Sequence, residues 1–465
     1  MRHLENIALA VACLEILRID VMDLFSQFDR VFQMYRIWNF VTNYSILLIA
    51  GALIALVWAN IDAHSYHLLV EYPLWFNDLL GADIHHWEHM LGADAAAFGH
   101  HDTHKVLTFH YLVNDVLMAF FFAIAAKEVW EAVILKNGSL RGKKAATPLF
   151  ATAGGMFGPI AVYLGLAWFL GPAKFGDVAN GWAIPTATDI AFSYLVGRLV
   201  FGAAHPAVRF LLLLAIADDA AGLIILAVFY PSGTLAPSWL LLSVAASIGV
   251  FVLFNWLPRR LDRGDQSRAK STWVREKLSF WPYLLAGAAS WYGFAQSGLH
   301  PALGLLPIVP TLPHADRDFG IFSQAETYMH DLLNHSEHLL KHPVEIILFF
   351  FGLLNAGVEF NAIAEPTWLV LCGLIIGKPF GVMLFGYIGA HTLKLGLPEG
   401  MKTSDLFVIG CVSAIGFTVS LFVATVAFDP GPVQDAAKMG ALFSFGAAIL
   451  SFVAGRLLRV EKQPG

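Results

Sequence analysis

Along this chain, apolar runs of about 20 residues alternate with short polar segments. At 1.5 Å of rise per residue, such a run spans the roughly 30 Å hydrocarbon core of a bilayer as one helix. The runs fall at 43–61, 109–134, 146–171, 182–201, 211–230, 238–257, 279–297, 343–361, 367–390, 405–428 and 436–457, with a short eighth after His300-Pro301. They predict twelve spans and an all-α polytopic membrane protein. Residues 1–38 form an N-terminal extension. Its apolar stretch stops at Glu15 and Arg18, too early for a span, which suits a surface amphipathic helix or a true start at Met22 or Met34. Residues 39–460 then make one transmembrane domain.

Two of the runs are interrupted. The fourth contains Pro185-Thr186-Ala187-Thr188-Asp189, and proline followed by polar residues breaks a helix. The eleventh contains Ser413-Ala414-Ile415-Gly416-Phe417-Thr418. Each broken run is the middle member of a triplet, runs three to five and ten to twelve. Inverted repeats with broken helices at the midplane are an architecture of secondary transporters.

The fifth run carries two adjacent aspartates, Asp218 and Asp219, near its middle. A carboxylate at that depth costs about 2.5–3.5 kcal/mol on insertion scales, so it faces a cavity or a partner. Neighbours on a helix point about 100° apart. That geometry suits one ion-binding carboxylate and one charge-paired carboxylate, whereas a capping role would need only one. Lys378 lies well inside the tenth run, with snorkelling to the interface as the alternative to a buried role. Asp189 is read either as a site residue or as a helix cap, and Thr188 either as a cation ligand or as a cap.

Composition agrees with a membrane chain: 57% of residues are hydrophobic and 14% charged, against about 25% charged in soluble domains. The distribution of basic residues says more than the net charge of −6. They gather in the loops after even-numbered runs, for example Arg259, Arg260, Arg263, Arg268, Lys270, Arg275 and Lys277 after the sixth. The positive-inside rule then puts both termini in the cytoplasm. Cys13, Cys372 and Cys411 imply no disulfide framework. Basic residues confined to short loops give no nucleic-acid surface. The segment 62–106 is histidine-rich, and His85 and His89 have the i, i+4 spacing of a helical metal pair. No motif places a third ligand, so the expectation is an exposed loop with no metal.

Several stretches together resemble NhaA-type sodium/proton antiporters. They are Asn114-Asp115-Val116-Leu117-Met118, Gly181-Trp182-Ala183-Ile184-Pro185-Thr186-Ala187-Thr188-Asp189, Leu214-Ala215-Ile216-Ala217-Asp218-Asp219, Ser297-Gly298-Leu299-His300, Asn355-Ala356-Gly357-Val358, Ile376-Gly377-Lys378-Pro379 and Ile415-Gly416-Phe417-Thr418-Val419-Ser420. They stand in family order over about residues 40–460. The resemblance implies two interrupted helices crossing at the midplane, broken at 188–189 and around Gly416. It implies that Asp219 is the principal cation and proton carrier, that Asp218 pairs with Lys378, and that Thr188 joins the ion site. Asp189 would then face the positive half-helix ends and Lys378 the negative ones. A half-helix terminus carries roughly half a charge, so an acid and a base there compensate opposite ends.

The same resemblance implies an exchanger of sodium, with lithium left open, for protons in a bacterial inner membrane. Sodium ions, protons and the lipid bilayer would be its partners, with no resident cofactor, no enzyme activity, and an assembly compatible with a homodimer. The alternative is a sodium-coupled organic anion carrier of the same architecture. An intramembrane aspartyl protease would need a Gly-x-Gly-Asp signature, which is absent, and its two aspartates on separate helices, whereas Asp218 and Asp219 are adjacent. For the pH response, the resemblance singles out Glu128, Glu131, Glu337 and His338. At position 131 the family usually has a base, so Glu128 and Glu131, i and i+3 on one face, form a like-charge pair in this reading.

Overall fold

A computed structural model describes residues 46–99, 103–134, 143–263, 269–313 and 332–463. The N-terminal extension, His100 and His101 lie outside the described residues, as do the side chains of Glu337 and His338. The described residues are mostly helical. Among the described residues, six helices are long and apolar enough to cross a membrane: Phe109–Ile134, Ala145–Phe169, Pro206–Phe229, Pro237–Leu261, Glu365–Thr392 and Pro432–Leu457. A seventh span is the pair Thr403–Ser413 and Phe417–Ala427, bent by 54° at its break. Shorter apolar helices are Ile46–Ile61, Ile190–Phe201, Pro301–Thr311 and His342–Asn355.

Burial is arranged as a bilayer demands. Large apolar side chains such as Val57, Phe157, Trp168, Ile224, Leu241, Phe380 and Leu384 are exposed on the outer faces of the bundle. The interior holds Asn114, Thr188, Asp189, Asp218, Asn355, Lys378, Ser413 and Thr418. Apolar surface facing outward is stable only against lipid. A polar interior at that depth must satisfy itself by hydrogen bonds, which fixes the helices relative to one another.

Two features bring the interior together. Helix Lys143–Phe169 meets helix Lys378–Tyr387 backbone to backbone. A Cβ added at Gly154 would lie 2.1 Å from the Gly381 carbonyl oxygen, and one at Gly158 would lie 2.2 Å from that of Gly377. Small residues at facing positions permit this approach. Just before Lys378, the segment Gly373–Gly377 widens into a π turn. Pro379 has no N–H to return to the preceding turn, which accounts for the local irregularity.

The histidine-rich stretch is more than a loop. It folds into a small unit containing helix Ala63–Val70, strand Pro73–Asn77, helix Ile84–Leu91 and strand Lys105–Thr108. The two strands pair antiparallel, with the short strand Ala82–Asp83 on the other side of Lys105–Thr108. Its centre is Ile84, Trp87 and Val106, with Phe76 and Phe98 against them. Strands of five, two and four residues are too short to show a period in sequence. The expectation of an exposed loop is corrected to that extent. His85, His86 and His89 do stand exposed on its helix. Among the described residues no three His, Cys, Asp or Glu side chains are grouped to hold a metal.

Candidate functional site

The first interrupted helix consists of the 3-10 segment Ala179–Thr186 and the helix Ile190–Phe201, and the second of Thr403–Ser413 and Phe417–Ala427. Pro185 closes the first segment, and Gly416 starts the last helix. The two breaks lie against each other and exchange hydrogen bonds in sequence. The hydroxyl of Ser420 donates to Ile184 O at 2.7 Å, that of Thr188 reaches Ser413 O at 3.1 Å, and that of Ser193 donates to Val412 O at 3.1 Å. The Asp189 backbone N–H donates to Ile415 O at 2.7 Å. These contacts satisfy backbone groups that the breaks would otherwise leave unpaired inside a membrane.

Charge at the crossing follows the helix ends. The Asp189 carboxylate accepts from Phe192 N at 3.2 Å, capping Ile190–Phe201. It also accepts from the hydroxyl of Thr418 and, at 3.4 Å, from Thr418 N, so it caps Phe417–Ala427 as well. One buried acid therefore faces two positive helix termini. Lys378, fully buried, meets the opposite polarity. Its ammonium donates to Thr186 O and, at 2.7 Å, to Ala187 O, where the 3-10 segment ends.

The same ammonium lies 2.9 Å from Asp218 Oδ2. Asp218 also accepts from the Thr188 hydroxyl at 2.6 Å. Lys378, Asp218 and Thr188 thus form one buried chain of polar contacts. Asp219 is different. It is half-buried on Pro206–Phe229 and has no hydrogen-bond partner among the described residues. The turn of about 100° between neighbours sends one carboxylate into the network and leaves the other beside it.

Glu131 pairs with Lys127 at 2.7 Å, i to i+4 on helix Met118–Ile134, and both are buried. The local charge is thus no simple pair of acids at 128 and 131, because Lys127 supplies a base one turn before Glu131. That spacing was visible in the sequence. Glu337 and His338 lie on helix Leu332–Asn355, outside the described side chains.

Two polar contacts went unassigned in the sequence, although their residues lie in the stretches quoted there. Asn114 and Asn355 exchange amide hydrogen bonds, each 2.9 Å, and the Thr425 hydroxyl reaches Asn355 Oδ1 at 3.2 Å. Asp115 faces His300 at 3.8 Å. An Asn at the start of one span and another 241 residues later carry no spacing signal for a pair.

The sequence profile described as Na+/H+ antiporter 1 matches residues 36–458. A protein named Na(+)/H(+) antiporter NhaA from Jannaschia sp. (strain CCS1) is 72% identical over 430 residues, which is 92% of this chain and 100% of that protein. Another of that name, from Geotalea uraniireducens (strain Rf4), is 43% identical over 91% of this chain and 97% of its own length. A third, from Desulfitobacterium hafniense (strain DSM 10664 / DCB-2), is 44% identical over 91% of this chain and 96% of its own length.

Proposed function

This chain belongs to the Na+/H+ antiporter 1 family and exchanges sodium for protons across a membrane, and from that membership we propose that Asp219 is the group on which the two ions compete. The observation that carries this is the contrast among three carboxylates. Asp189 and Asp218 are committed to neighbours, whereas Asp219 keeps its acceptor positions open at the same depth. A carboxylate in low dielectric is stable either protonated or beside a cation, and unstable as a bare anion. If the loaded and protonated forms change their facing and the bare anion does not, exchange is obligatory and the gradients are coupled.

Asp218 and Lys378 hold the crossing in place beside it, and Thr188 orients Asp218. Thr188, bonded to the neighbouring Asp218, is also read as a neutral oxygen ligand for the cation. Twelve spans, with inverted repeats around the crossing and both termini in the cytoplasm, complete the reading, supported by the hydropathy pattern and the basic loops. The relatives' names give no support to coupling with an organic anion.

The test is sodium-driven pH change in vesicles containing the purified protein. Asp219→Asn is expected to abolish it while thermal unfolding stays cooperative. Normal exchange by this variant would remove Asp219 from the role.

A further inference from the structure

The distal ends of the site helices converge on one short segment. Helix Gly446–Leu457 ends in a reversal: Leu458 N donates to Ala454 O, Val460 N donates to Gly455 O, and Arg459 adopts a positive φ of 50°. This is the geometry that ends a helix and turns the chain back across it. Val460 packs against the main core, and residues 461–463 then run over the ends of other helices.

Three contacts follow. Gln463 N donates to Phe201 O at 2.9 Å, meeting a carbonyl at the end of Ile190–Phe201 that has no partner within its helix. Ala204 N donates back to Gln463 O at 3.3 Å, in the turn whose His205 caps Pro206–Phe229. The side chain of Glu461 pairs at 2.7 Å with Lys402, the residue preceding Thr403–Ser413. The fit is close: a Cβ added at Gly202 would lie 2.3 Å from Gln463 O.

Each of these ends is the far end of a lever. From Phe201 to Asp189, from Pro206 to Asp218 and from Lys402 to Ser413, the distance along the helix is about 16–18 Å at 1.5 Å per residue. The segment therefore ties together the ends of the helices that carry Asp189, the Asp218–Asp219 pair and the second break. A half-helix is rigid along its length, so an altered end displaces the break at the other.

We propose that residues 460–463 are a strap, and that Gln463, through its backbone N–H, and the Glu461–Lys402 pair are positioning elements for the ion site. This rests on the reading that the exchanged ions bind at the crossing. With the strap in place the crossing is organised for sodium; without it a smaller fraction of molecules is competent, and apparent affinity falls by that fraction.

The test compares Gln463→Pro with Gln463→Ala in full-length protein in vesicles. Proline removes the N–H that Phe201 O accepts, whereas alanine keeps it. Gln463→Pro is expected to raise the half-saturating sodium concentration about three- to tenfold, the change that losing one backbone hydrogen bond makes in an equilibrium. Gln463→Ala is expected to match the unaltered protein. Equal sodium dependence in the two variants would overturn the strap.

If Gln463→Pro does not reconstitute, charge reversal decides. Glu461→Lys and Lys402→Glu are each expected to raise half-saturating sodium by about twofold, as befits an exposed pair, and the double variant to restore it. No shift in the single variants, or no restoration in the double, would overturn the proposal. Asp219→Asn measured alongside separates the two ideas. Exchange surviving in Asp219→Asn removes the site reading, whereas exchange lost there with Gln463→Pro equal to Gln463→Ala removes the strap alone.

Discussion

The two helix breaks lie side by side yet are built differently. The first, at 187–189, carries its own chemistry, with Thr188, Asp189 and a proline two residues before Ala187. The second, at 414–416, has no charge of its own and relies on small residues: Ala414, Gly416 and the flanking Ser413. Its helix N-terminus is compensated by Asp189 from the first break, and Gly416 N is met by the Ser444 hydroxyl at 3.3 Å. The difference has an electrostatic reason. Placing a carboxylate at each break would put two anions within a few ångströms in low dielectric, where like charges repel strongly. One acid shared by two helix termini does the same capping with half the buried charge. One lysine, reaching Thr186 O, Ala187 O and Asp218, meets the opposite helix end and pairs with the second acid.

The asymmetry predicts that losing a charge matters most. Lys378→Ala leaves Asp218 buried without its cation and two carbonyls without a donor, an effect of about 3–5 kcal/mol. A large fall in the thermal unfolding temperature in detergent is expected. Adding Asp218→Asn removes the stranded charge and should recover part of the fall. A double variant no more stable than Lys378→Ala would show that the pair does not carry this energy.

Next in size is steric loss at the second break. A Cβ at Gly416 would lie 2.5 Å from Ser420 Oγ, 2.9 Å from Ala187 O and 3.0 Å from Leu374 Cδ2. The carbonyl belongs to backbone that Lys378 already holds, so it cannot move aside. Gly416→Ala is expected to destabilise by about 3 kcal/mol, the upper part of the overpacking range. Ala187→Gly at the first break should lose under about 1 kcal/mol, chiefly through greater backbone freedom. Equal losses in unfolding measurements would mean that close approach does not distinguish the two breaks.

Much of this plan was legible in the sequence because the bilayer imposes it. Spans show as apolar runs, and the breaks show as Pro185 and Gly416 among polar residues that lipid would otherwise exclude. Asp218 and Asp219 stood out for the same reason, and the 100° between them anticipated one engaged and one open carboxylate. Double capping by Asp189 was hidden, because Thr418 lies 229 residues away and hydroxyls inside spans are common. Lys127–Glu131 had a readable i, i+4 spacing, but Glu128 stands at i, i+3 to the same Glu131, so spacing alone left two partners for that carboxylate. The small sheet at 73–108 left no trace, since its core is assembled from single residues of several short elements.

The smallest effect is the sharpest probe of the shared cap. Thr418→Val keeps the shape of the side chain and the backbone N–H that faces Asp189 at 3.4 Å, but removes the hydroxyl. Asp189 keeps Phe192 N as a partner, so the acid is not stranded. The expected loss is about 1.5 kcal/mol, the low end for a hydrogen bond to a charged group. Thr418→Ser, which retains the hydroxyl, should lie much nearer the unaltered protein in unfolding temperature. The effect must also depend on the acid. In an Asp189→Asn background the hydroxyl meets a neutral amide, and the difference between Val and Thr at 418 should shrink to under about 1 kcal/mol. An undiminished difference would mean that Thr418 acts through packing, and that the second break does not borrow its cap from the first.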